Sequence, residues 1–210
     1  MDWGAEADAA IARYRRGESR GLDQRQLTQL GNAAWAAGLC LLMTGRGDEA
    51  TEWLQRAAGR YRESWEQAPP DSWGRPIAAM KALLLAGDDA SPAAQWALDA
   101  GAAEADSPIG RYAATLACLV LGRDVEARML AETLVERDDF PRDVADALLM
   151  IAGLDRLEYD VAVENVLDSF EQREEFLEDI RVADTVLVLQ KLAAARGLEV
   201  ELPPSDLLPT

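Results

Sequence analysis

Four times along the chain, an apolar helical run closes near a glycine, an acid follows, and a second amphipathic run begins. The copies are LLMTGRGDEATEWL (41–54), LLLAGDDASPAAQWAL (83–98), LVLGRDVEARMLAETL (119–134) and, more weakly, IAGLDRLEYDVAVENVL (151–167). Their acids Asp48, Asp88, Asp124 and Asp160 stand 40, 36 and 36 residues apart. That is close to the roughly 34-residue period of a tetratricopeptide repeat. One helix pair cannot bury its apolar face alone, whereas stacked pairs bury a continuous core and leave a groove. The expected fold is all-α: antiparallel helical hairpins stacked as a tetratricopeptide-like array or superhelix, in one domain over 1–210. A non-repetitive bundle whose hairpins look alike is the alternative.

Strand signals are nearly absent, since alternating β-branched runs of useful length do not occur. Helical periodicity predicts helices at about 5–16, 23–44, 48–66, 73–86, 92–104, 108–121, 124–137, 142–155, 159–175 and 182–196. Ser91-Pro92 and Ser107-Pro108 each offer a hydroxyl cap followed by a proline at the first helical position. Asp139-Phe140-Pro141 reads as a third start. Gly45, Gly87, Gly122 and Gly197 follow apolar runs, where a left-handed residue closes a helix. Residues 1–22 hold an N-terminal helix. In the tail over 197–210, prolines forbid helix, and Leu207 and Leu208 suggest a segment that docks back on the array.

Charge and composition narrow the function. Asp and Glu number 38 against 21 Lys and Arg, a formal charge of −17. Such a chain repels nucleic acid and anionic membranes and attracts a basic partner; solubility or adaptation to a salty cytoplasm explains the charge equally well. No apolar run approaches the roughly 18 residues that span a membrane, and the start MDWGAEAD lacks the features of a signal peptide. Cys40 and Cys118 sit in apolar runs and read as reduced core residues of a cytoplasmic protein.

Histidine is absent. That removes Ser-His-Asp and Cys-His catalysis and the common zinc sites. TGRGDEA lacks the Lys-Ser/Thr pair of a phosphate loop and reads as a turn between helices. A pair of carboxylates could still serve a glycosidase-like enzyme. Asp71, beside Trp73 in PPDSWGRP, is the best such acid, with helix capping as its ordinary use. No catalytic, cofactor-binding or metal-binding residue is assigned, and no cofactor is expected.

Two candidate binding surfaces remain. If 160–180 is one helix, Val163, Val166, Phe170 and Leu177 point one way. Asp168, Glu175 and Asp179 then point the other way, with Glu171 and Glu178 alongside. This acidic back is either a solvated face or part of an interface for a basic partner. Trp53, Trp65, Trp73 and Trp96 fall on or beside successive helices. Each serves as packing or, at Trp73 above all, as an interface anchor.

VADTVLVLQKLAAARGLEVELPPSDLLP (182–209), with LACLVLGRDVEARMLAETL (116–134) upstream, resembles the immunity protein 49 family of bacterial polymorphic toxin systems. An Asp-led aliphatic helix ends in Ala-Ala-Arg-Gly-Leu, and an extended link leads to a Leu-Leu-Pro tail. The resemblance covers about residues 75–209. It implies an all-helical cytoplasmic antidote that neutralises a cognate toxin by binding it, with no catalytic motif. A general tetratricopeptide-like adaptor holding a helix or peptide in its groove is the competing expectation, and a carboxylate-dependent hydrolase the remote one.

Overall fold

A computed structural model describes residues 1–209; Thr210, the end of the expected tail, lies outside them. The described residues form ten α-helices and no strand, so the all-α expectation holds. They are α1 (Trp3–Gly17), α2 (Gln24–Met43), α3 (Gly47–Trp65), α4 (Gly74–Ala86), α5 (Ser91–Asp99), α6 (Pro108–Val120), α7 (Asp124–Val135), α8 (Arg142–Gly153), α9 (Arg156–Glu171) and α10 (Asp184–Ala194). Short 3-10 turns cover Ala102–Glu104 and Leu177–Asp179. The expected helix at 92–104 therefore breaks after Asp99, where Gly101 turns left-handed. Successive helices pack on one another from α1 to α9.

The turns inside the pairs explain why the repeat is visible. In each, a residue just past the first helix adopts a left-handed conformation: Gly45, Gly87, Gly122 and, in the fourth copy, Leu154. The next N–H reaches back five residues, from Arg46 to Leu41, Asp88 to Leu83, Arg123 to Cys118 and Asp155 to Met150, at 2.8–3.0 Å. These bonds satisfy carbonyls that the helix end leaves open. Gly197 closes α10 the same way, with the Leu198 N–H on the Ala193 carbonyl. Asp48 and Asp124 lie in the first turns of α3 and α7, where the helix dipole favours an acid. In the fourth copy that place falls to Asp155, which caps α9 through the Glu158 N–H; Asp160 lies a turn further in. Ser107 caps α6 as expected, but Ser91 makes no cap bond and is itself the first residue of α5.

The first helix of each pair is the more deeply buried. Every residue from Ala33 to Leu41 in α2 is buried, as is every residue from Ala113 to Leu119 in α6. A run of that length covers all sides of a helix at 3.6 residues per turn. The second helices cover one side. The other side, expected to be an open groove, is occupied by the chain itself. Helix α10 lies against α4, α8 and α9, and the turn at Leu177–Asp179 lies against α2. The tail docks as expected: Leu207 is buried, and its carbonyl accepts the Ala183 N–H at 3.0 Å. One hydrophobic core thus runs from Ala7 to Leu207.

Close helix approach depends on Gly38. A Cβ there would stand 2.6 Å from Leu54 Cγ and 2.7 Å from its Cδ2, so the Leu54 side chain, fully buried, would have to shift. Gly38→Ala should cost about 1–3 kcal/mol of stability. Gly59→Ala, on the open side of α3 with nothing near its Cβ, should instead add about 0.5–1 kcal/mol. Equal effects of the two in urea unfolding would contradict this account of the α2–α3 contact. Leu154 is 56% exposed and strained in its left-handed turn. Leu154→Gly should therefore raise stability by about 0.5–1 kcal/mol, and a lowered melting temperature would count against it.

Candidate functional site

The acidic surface expected over 160–180 divides at residue 171. Helix α9 ends at Glu171, and 172–183 forms an irregular link. The assumption of one continuous helix is therefore corrected. In such a helix Glu171, Glu175 and Asp179 would stack at four-residue spacing, as would Glu174 and Glu178, and like charges so placed destabilise a helix. The chain turns instead. Phe176 folds back on Phe170 at 6.2 Å between ring centres, and Ile180 and Val182 enter the core. Val163, Val166 and Phe170 are buried as expected, but Leu177 is 56% exposed and leaves the apolar stripe.

The five acids accordingly have different surroundings. Asp168 is exposed on α9, and Glu175 and Asp179 are exposed on the link. Glu171 accepts a hydrogen bond from Ser205 Oγ at 2.7 Å and so helps hold the tail. Glu178, half-buried in a left-handed conformation, pairs with Arg13 of α1 at 3.2 Å. Asp168 and Glu171 share a helix, while Glu175, Glu178 and Asp179 belong to the strap beyond it.

Trp73 is 5% exposed and cannot anchor a partner on this surface. It packs 5.8 Å from Trp65, which meets Trp96 edge-on at 5.5 Å. Trp53 packs edge-on against Tyr14 at 5.2 Å. The tryptophans therefore join α3 to α1, to the start of α4 and to α5. Asp71 makes no cap bond to α4; it adopts a left-handed turn, and its carbonyl accepts the Trp73 N–H. Burial pushes the Cys40 thiol up to about 12, which fits the expected inert core cysteine.

Two ion pairs seat α10. At its start, Asp184 accepts from Lys81 Nζ of α4, which also donates to Thr185 Oγ1 at 3.1 Å. Burial opposes the Lys81 charge, but the Asp184 carboxylate outweighs it and holds the ammonium above its ordinary range. Just beyond its end, Arg196 donates to Asp124 of α7 and to the Leu119 carbonyl of α6 at 2.8 Å. Its side chain is only 8% exposed. One of the two lysines in the chain thus serves as a tether.

Charge is unevenly spread. Residues 1–105 hold 15 acids and 11 bases, whereas 106–210 hold 23 acids and 10 bases. The second half therefore carries −13 of the −17. It also holds most of the exposed large apolar side chains, among them Val125, Met129, Leu157 and Val161. Periodicity does not single out these four, because they sit in amphipathic helices where an apolar residue is expected to face inward. Their signal was a phase error, one apolar residue too many per turn.

No protein-family model, curated protein or solved structure matches the chain. No helix among the described residues is long and apolar enough to cross a membrane.

Lys81→Met should strand Asp184, whose side chain is only 18% exposed, and cost about 3 kcal/mol. The loss should appear first as faster amide exchange in α10. The raised Lys81 value fixes the sign with pH. The tether is intact below the ordinary lysine value of about 10.4 and is lost as pH rises through the higher folded one. Unchanged α10 exchange in the variant would show that the pair does not seat the helix.

Proposed function

We propose that this chain is a non-catalytic protein-binding module for a basic polypeptide. The observation that carries the reading is the concentration of −13 in residues 106–210, on a half that also exposes apolar side chains. Solubility needs charge but not exposed Val, Met and Leu beside it. A partner with basic and apolar groups satisfies both. The sequence resemblance to immunity protein 49 narrows the partner to a toxin, neutralised in the cytoplasm by stoichiometric occlusion. The acidic half would speed the encounter, because complementary charge raises association rates more than it slows release.

The competing adaptor reading places a peptide in the groove beside the first helices. Helix α10 fills that place and is ion-paired at both ends. A peptide would have to displace it, so an outer surface serves the function better.

Affinity capture of the tagged chain from its own cells should recover one stoichiometric basic polypeptide. Expressing that polypeptide alone should be toxic, and co-expressing this chain should relieve the toxicity. The association rate should fall by about tenfold or more between low and high salt, with little change in dissociation. Recovery of only weak, substoichiometric proteins with no common charge, or an association rate indifferent to salt, would refute the reading.

A further inference from the structure

Helices α7 and α9 carry one pattern at a fixed offset of 32 residues: 125–136 reads VEARMLAETLVE and 157–168 reads LEYDVAVENVLD. Their inward residues correspond, Ala127, Ala131 and Leu134 with Tyr159, Val163 and Val166, and all six are buried. Their outward residues correspond too. Val125, Met129, Glu132 and Glu136 follow α7, and Leu157, Val161, Glu164 and Asp168 follow α9; all eight are exposed. The spacing i, i+4, i+7, i+11 keeps each set within about 60° of one side of its helix. Each line is therefore apolar in its first half and acidic in its second.

Packing does not demand this. The corresponding positions of α3, counted from its own left-handed turn, are Asp48, Glu52, Gln55 and Gly59, all exposed and none a large apolar residue. A solvated outer helix of this array is thus polar along that line. Yet Val125, Met129, Leu157 and Val161 are 58–77% exposed. Among the described residues, Glu136, Glu164 and Asp168 have no ion-pair partner, and Glu132 pairs only with Arg128 of its own helix, both well exposed. Helices α7 and α9 each follow a first helix through the same kind of turn and both pack on α8, so their lines run in the same direction.

We propose that α7 and α9 form a two-railed docking surface for a basic amphipathic helix of a partner protein. Its apolar anchors would meet Val125, Met129, Leu157 and Val161. Its Lys or Arg residues, about two turns further on, would meet Glu132, Glu136, Glu164 and Asp168. The rails extend about 16 Å, which sets the contact at about three turns of partner helix. A second copy of this chain is the wrong occupant, because it would bring the −13 half against itself. The proposal rests on the reading of the chain as a binder of a basic polypeptide and adds the surface and its polarity.

The probe is a synthetic, capped, Ala-based helical peptide with two leucines four residues apart followed by lysines; its companion has both leucines replaced by alanine. Fluorescence anisotropy at low salt should show the leucine peptide binding about tenfold or more tighter than its companion. Backbone amide shifts on titration should centre on α7 and α9. The variant Val125→Ser/Met129→Ser/Leu157→Ser/Val161→Ser should lose the leucine-dependent gain with its helicity intact, and Met129→Lys alone should lose most of it. Leucine-independent binding, or shifts centred on the 174–179 link, would overturn the surface while leaving the basic-partner reading standing. A wild-type dimer that the serine variant converts to monomer in sedimentation would overturn the occupant. Failure of the basic-partner reading shows separately, as capture from cells that yields no basic polypeptide.

Discussion

Helices α2 and α6 are buried on every side along their central turns. Such a helix cannot border water, because exposing either flank would cost the transfer of whole rows of Ala, Leu and Cys side chains. It therefore needs two layers of cover. The second helices of the pairs supply one. For α2 the other includes the turn at Leu177–Asp179 before α10, and for α6 the neighbouring first helices α4 and α8 with Arg196 just beyond α10. The Lys81–Asp184 and Arg196–Asp124 pairs fix where that cover sits. Their worth is positional, since ion pairs with little exposure seldom gain much net stability but lose a great deal when one partner is removed.

Self-repulsion bears on the same design. Two of the long-range pairs join a base of the first half to an acid of the second: Lys81 with Asp184, and Arg13 with Glu178. Most other pairs lie within one helix or turn and are exposed, where they contribute little. Two bases of the second half also close seams. Arg196 closes onto the α6–α7 turn, and Arg156 reaches the Glu199 carbonyl of the tail. The outward acids of α7 and α9 are left almost without cations of their own.

The fold was legible where local chemistry decides it. Gly45, Gly87, Gly122 and Gly197 announced the helix ends, because only a left-handed residue lets the chain bond back on the last turn. The fourth turn was weaker in sequence because Leu154 occupies that position. Ser91 misled, since its neighbour Asp89 accepts the Ser91 N–H and starts the helix one residue early. The groove was misjudged for a different reason. Periodicity reports that α10 is apolar around most of its circumference, but not which face of the array it will cover. The link after Glu171 failed because apolar phase was weighed without the repulsion of its stacked acids.

The candidate surface is hidden in the sequence for a related reason. An amphipathic helix offers its apolar residues to its neighbours, so periodicity alone does not set Val125, Met129, Leu157 and Val161 apart from the core. Geometry separates the two uses. In α9 the inward positions Tyr159, Val163 and Val166 already fill the contact with the array, so Leu157 and Val161 are surplus to folding. Surplus apolar side chains cost solubility when they stand alone. Placed at the same phase on α7 and α9, each followed by exposed acids that are unpaired except for Glu132, they become a pattern with direction. A folded core is indifferent to direction along a helix surface that it never touches. A partner that must dock in one register is not, and that difference makes the ordering of apolar and acidic halves a functional statement rather than a packing one.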